Sequence, residues 1–112
     1  MLAGMQNIEE TGARSLRVKK LLEDAERSAE SAIRTMRSSL AIAPPGSVGP
    51  LLEDVDTLFS LIDAADLRAE LARVTSDDED AVEHARDARS LAIAAHEEAR
   101  RRAGRWARST RA

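Results

Sequence analysis

Apolar residues recur at alternating steps of four and three along three stretches of this chain, as they do on the buried face of an α-helix. The first stretch predicts helix 1 over about residues 8–42, and the second predicts helix 2 over about 50–74. The third predicts helix 3 over about residues 77–108. The three stripes are Val18, Leu22, Ala25, Ala29, Ala32 and Met36; Leu51, Val55, Leu58, Ile62, Ala65, Ala69 and Ala72; and Ala81, Ala85, Ala88, Ala92, Ala95 and Ala99.

The two boundaries between these helices carry different signals. Residues 43–49 contain Pro44 and Pro45, which remove two backbone donors and therefore end helix 1. Pro50 suits the first turn of helix 2, where its missing N–H is not needed. The second boundary lacks Gly and Pro, but Ser76-Asp77-Asp78-Glu79 matches a capping box with Ser76 as the N-cap. The apolar stripe also changes phase there, which favours a turn over one continuous helix.

These elements predict an all-α fold, with residues 1–112 forming a single domain. The expected architecture is an antiparallel three-helix bundle with long first and third helices. Helix 2 is the most apolar, because Leu52 and Phe59 widen its stripe, and it is expected to contact both other helices as the central element.

The stripe of helix 3 consists only of alanine, which buries little area but lets helix backbones approach closely. Ala25, Ala29 and Ala32 of helix 1 are the expected facing surface. A core this thin makes self-association attractive as a way of completing it, and a homo-oligomer is left open.

Composition supports a helical protein and excludes several classes of function. The chain has one Trp, one Phe and no Tyr, which argues against a sheet. It has no cysteine, so disulfides, thiolate zinc sites and cysteine nucleophiles are excluded. The formal net charge of −3 does not favour general nucleic-acid binding. Because the sequence shows neither a signal-peptide pattern nor an apolar run of membrane-spanning length, we expect a cytoplasmic protein that does not contact a membrane.

Charge is distributed unevenly along the chain. Residues 51–83 hold eleven acids against two arginines, whereas residues 100–112 hold six arginines and no acid. Cations near a helix C-terminus complement the helix dipole, so this arginine-rich arm has a structural interpretation. It is also suited to an acidic partner protein or to residues 51–83 of a second copy. Phosphate neutralisation, with Trp106 stacking on a base, is a third interpretation.

The sequence offers no recognisable metal or cofactor site. A di-iron helical bundle needs Glu-x-x-His pairs, but Ala81 and Ile93 stand three residues before His84 and His96. The acidic run of residues 77–80 lacks the glycine of a calcium-binding loop. We therefore expect no metal, no cofactor and no catalytic residue.

Arg89 and His96 are separated by six residues, a spacing that places both side chains on one face of helix 3. This arrangement is similar to the motif of HEPN-type helical ribonucleases, in which paired protomers form the RNA-cleaving site. The resemblance implies a ribonuclease using Arg89 and His96, as a weaker alternative to a binding protein.

The leading hypothesis is a non-enzymatic helical protein–protein interaction or assembly module: a scaffold, an adaptor or an accessory subunit. Its partner would be another protein or a second copy of the chain, and nucleic-acid binding through the arm is the alternative. The expected contact residues are Arg100, Arg101, Arg102, Arg105, Trp106 and Arg108 of the arm, and Ala85, Ala88, Ala92, Ala95 and Ala99 of helix 3.

Overall fold

The computed structural model describes the backbone of residues 2–42 and 48–111, and the side chains of residues 16–42 and 52–105. It contains three α-helices: α1 spans Leu2–Ile42, α2 spans Val48–Val74 and α3 spans Asp78–Arg111. These described residues contain no strand. The predicted all-α bundle with long first and third helices is confirmed. α1 begins well before residue 8, and most of the predicted proline- and glycine-rich connection lies outside the described residues.

The turn between α2 and α3 is short and closed by side chains. At its start, the Thr75 amide and hydroxyl both donate to the Leu71 carbonyl, at 3.0 Å and 2.5 Å. At its end, Asp77 Oδ1 accepts from the Asp80 amide at 3.1 Å, and the Asp77 carbonyl accepts from the Ala81 amide at 2.9 Å. The predicted turn is confirmed, but the N-cap is Asp77 and not Ser76. The carboxylate of Asp77 accepts a hydrogen bond from a free backbone amide, and its negative charge also complements the helix dipole.

Replacing Asp77 with alanine is expected to lower the free energy of unfolding by about 1 kcal/mol, because the Asp80 amide loses its acceptor. Urea denaturation followed by circular dichroism measures this change. The matched control is Ser76→Ala, which is expected to stay within about 0.5 kcal/mol of the parent, as is usual for an exposed position. Equal losses in the two variants would show that Asp77 does not cap α3.

The central element is α3, which packs along both other helices, whereas α1 and α2 contact each other only sparsely. The prediction that helix 2 is central is therefore wrong. The physical reason is the row of small residues on α3, which lets two helices lie close against it. Much of the large apolar surface of α2 is left outside the core: Leu52, Phe59, Leu67 and Val74 are between 42% and 73% exposed.

The described core contains two clusters of buried residues, each built from all three helices. One lies nearer the α2–α3 turn and the other nearer the α1–α2 connection. They fix the register, since Ala25 lies level with Ala65 and Ala88, while Met36 lies level with Leu58 and Ala99. The predicted facing of the alanines of α1 and α3 is thereby confirmed. The clusters are Ala25, Ala65, Ala88 and Ala92; and Ala32, Met36, Leu58, Ile62, Ala95 and Ala99.

Candidate interaction surface

The alanine face of α3 is buried inside the molecule. Each of its predicted contact residues has an exposed fraction of zero, because α1 and α2 of the same chain cover them. An interaction through this face would require the bundle to open, so a partner surface must be sought elsewhere. The five residues are Ala85, Ala88, Ala92, Ala95 and Ala99.

The arginine-rich arm is partly engaged within the chain. The Arg102 side chain is only 15% exposed and forms an ion pair with Asp54 of α2. A second nitrogen of Arg102 lies 3.6 Å from Glu98 Oε1. The start of the arm therefore packs on the acidic α2 of its own chain. The opposite charges of these two segments had suggested the same pairing between two copies of the chain.

The remaining arm residues divide into two groups. Arg100, Arg101 and Arg105 are exposed, and Arg101 lies 3.1 Å from Glu98 Oε2 on the same helix. Trp106 and Arg108 lie outside the residues whose side chains are described.

Arg89 and His96 occupy α3 as predicted, and Arg89 contacts α1. Its Nε lies 3.7 Å from Asp24 Oδ2, with the arginine side chain 47% exposed, and His96 is half-buried. In the part of the chain with described side chains, no group of three His, Cys, Asp or Glu residues is placed to hold a metal ion. None of the described helices is long and apolar enough to cross a membrane.

The seam between α1 and α2 forms an open groove, which the sequence did not lead us to predict. Near the α2–α3 turn it encloses a cavity of about 710 Å³, and a second cavity of about 420 Å³ continues it along the same seam. Both cavities are lined by Leu22, Glu26 and Arg73, so they form one groove. Its apolar lining is Val18, Leu22, Ala25, Ala29 and Ile33 of α1, and Ile62, Ala65, Ala69 and Ala72 of α2, with Ala81 of α3.

The groove exists because α1 and α2 both lie on α3 and present short side chains to each other. Ala25 and Ala29 of α1 and Ala65 and Ala69 of α2 lie at the floor of the groove, and alanine is too short to close the gap. Longer apolar side chains, such as Ile33, stand at the sides. The result is an open groove with an alanine floor.

The rim of the groove is acidic. Its lining includes six acids against two bases, and one of the bases, Arg73, already lies 2.5 Å from Glu70 Oε1. The acids are Glu23, Glu26 and Glu30 on α1, Asp66 and Glu70 on α2, and Asp78 at the start of α3; the bases are Lys19 and Arg73.

Toward the α1–α2 connection the α1 side of the groove becomes basic, because a cavity of about 310 Å³ shares Glu30 and Ile33 with the groove and is otherwise lined by Arg34 and Arg37. Three exposed apolar side chains also lie on this side of the groove. Leu40 stands seven residues after the groove residue Ile33, and Phe59 stands seven before the groove residue Asp66, so each shares the corresponding side of its helix. Leu52 precedes Phe59 by a further seven residues. All three large side chains are exposed. The alanines that recur in the stripes of helices 1 and 2 were the available sequence signal for the groove.

No protein-family model, curated protein or solved structure matches this chain.

Proposed function

We propose that the chain is a non-enzymatic helical protein–protein interaction module, which binds one amphipathic helix of another protein between α1 and α2. The observation that carries this proposal is the alanine-floored groove, whose apolar walls face solvent. A bound helix would pack between α1 and α2 as a fourth helix of the bundle. The apolar stripe of this bound helix would contact the alanines of the groove. Removing apolar surface from water on both sides would supply the driving force.

The length of the groove sets the length of the partner segment. Its lining runs along α1 from Val18 to Ile33, which corresponds to about 22 Å of helix. A partner helix of about 16 residues would fill it, with apolar anchors at positions i, i+3, i+4 and i+7 repeated over about four turns.

The surface beyond the groove supports the same proposal. Phe59, Leu52 and Leu40 are exposed apolar side chains beyond the groove, and apolar side chains of this size are common anchors of helix recognition. A somewhat longer partner helix would cover these side chains as well.

Filling the groove is expected to weaken helix binding at least tenfold. In Ala69→Phe the new ring would occupy the floor of the groove, where the apolar stripe of the partner should lie. The probe is a fluorescent 18-residue peptide with leucines at helical spacing and lysines on both flanks, and its affinity is measured by fluorescence anisotropy. Tenfold corresponds to about 1.4 kcal/mol of binding free energy.

The control for this experiment is Ala64→Phe. Ala64 is also a half-buried alanine of α2, but it does not line the groove. Circular dichroism verifies that both variants are folded. Ala29→Phe tests the α1 side of the groove in the same way. If the parent chain fails to bind the peptide, or if Ala69→Phe and Ala64→Phe bind it equally well, the groove is not the binding site.

A further inference from the structure

We infer that the groove selects a basic helix, one whose apolar stripe is flanked on both sides by lysine or arginine and which comes from a different protein. This inference rests on the proposed function and specifies its partner. The supporting observation is that the acidic residues of the rim form one row on α1 and another on α2, along the two sides of the groove.

The row on α1 consists of Glu23, Glu26 and Glu30, spaced by three and four residues, so that the carboxylates follow the groove in a line. The row on α2 consists of Asp66 and Glu70, spaced by four residues. A helix lying between the walls presents its two flanks to these two rows at the same helical spacing. Basic residues at steps of three and four on both flanks would meet a carboxylate at each turn.

Most of these carboxylates are available to a partner. Within the described part of the chain, Glu23, Glu26, Glu30 and Asp66 are exposed and form no ion pair or hydrogen bond with another side chain. The carboxylate of Glu70 is paired with Arg73. A basic partner would therefore gain new ion pairs without breaking several existing ones.

A second copy of this chain fits the groove less well than a basic partner does. A symmetric dimer places the same patch of both copies together, so a groove-to-groove dimer would oppose the acidic rows. Arg100, Arg101 and Arg105 of a second copy are exposed and have the right charge, but the apolar stripe of the same helix is covered by α1 and α2 of its own chain as far as Ala99. The groove charge thus favours a separate basic helix.

The test compares two 18-residue peptides with the same leucine stripe, one flanked by lysines and the other by glutamates. At about 50 mM salt, where charge interactions are weakly screened, the lysine peptide is expected to bind the parent chain at least tenfold more tightly. In the double variant Glu26→Lys/Asp66→Lys, the preference is expected to fall to unity or reverse. Fluorescence anisotropy gives both affinities for each protein.

The matched control is Glu83→Lys/Glu97→Lys, which changes net charge equally at two exposed positions of α3 outside the groove. This control is expected to retain the preference for lysine. Equal loss of preference in the two double variants would overturn the inference, because overall charge and not the rim would then select the peptide.

Failure of the charge inference can be told apart from failure of the proposed function. If both peptides bind the parent equally and Ala69→Phe weakens both, the groove binds helices without selecting their charge. If neither peptide binds, both proposals fall. Sedimentation of the chain alone gives a monomer mass if the partner is another protein. A dimer that dissociates in Glu26→Lys/Asp66→Lys would identify a second copy as the occupant and overturn the inference.

Discussion

Replacing Leu58 with alanine is expected to lower the free energy of unfolding by about 3 kcal/mol. Leu58 is the largest fully buried side chain among the described residues. It packs in one cluster with Ala32, Ala95 and Ala99, which have no side-chain rotamers with which to fill the space it would leave, and with Met36 and Ile62, which can fill only part of it. Part of the cavity would therefore persist, and the loss should include a cavity contribution beyond the transfer of the deleted atoms.

Urea denaturation at neutral pH, followed by the helical circular dichroism signal, measures this loss. The matched control is Leu67→Ala, which removes the same atoms from a side chain of α2 that is 62% exposed. It is expected to change the free energy of unfolding by no more than about 0.5 kcal/mol. Comparable losses in the two variants would mean that α2 does not dock through the face containing Leu58.

The helices themselves were predictable because the signals that define them are local. The four–three spacing of Leu58, Ile62 and Ala65 identified one face of α2, and all three residues are buried. The change of phase after Val74 correctly indicated a turn even though no glycine or proline marks it. The N-cap was placed one residue too early, because Ser76 and Asp77 are both good caps and the pattern does not say which one turns inward.

The arrangement of the helices was less predictable because it depends on pairs of surfaces. The width of an apolar face indicates how much surface a helix can bury, but it does not indicate which neighbouring helix covers that surface. α2 has the widest face and was expected at the centre, yet its Leu52 and Phe59 are exposed. The helix with the smallest buried side chains, α3, became central because two neighbours can approach it closely at once.

The interaction surface was hard to predict for the same reason, since it also depends on how two helices are placed together. The sequence suggested the alanine face of α3 and the arginine-rich arm, but the structure buries the first and ties Arg102 of the second to Asp54. The groove could not be seen in any single stripe, since it is a gap between α1 and α2. Only the alanines shared by both stripes, such as Ala29 and Ala69, indicated that these facing sides were short.

Alanine therefore has opposite consequences at two places in the bundle. On α3 it brings α1 and α2 close to the central helix, which fills the core with backbone and small side chains. On the facing sides of α1 and α2 it leaves the seam open. The stability of the bundle and the existence of the groove are thus linked through the position of α3, and a change in its alanine row should affect both.

Ala92→Leu is expected to lower the free energy of unfolding by about 2–3 kcal/mol, because it overpacks a fully buried contact of all three helices. Ala92 is fully buried in the cluster that contains Ala25 of α1 and Ala65 of α2. No side-chain rotamer of a leucine there leads to solvent, so the extra atoms must push one of these two helices outward. Urea denaturation measures the stability. The affinity for the lysine-flanked peptide measures whether the walls of the groove have moved.

The matched control for this variant is Ala94→Leu, two residues along the same helix at a half-buried position. It is expected to remain within about 0.5 kcal/mol of the parent and to bind the peptide as the parent does. If Ala92→Leu were as stable as the control, α3 could not be in tight contact with both neighbours at this level. The alanine row would then not be what lets α1 and α2 lie close against α3, and the link between the stability of the bundle and the groove would be lost.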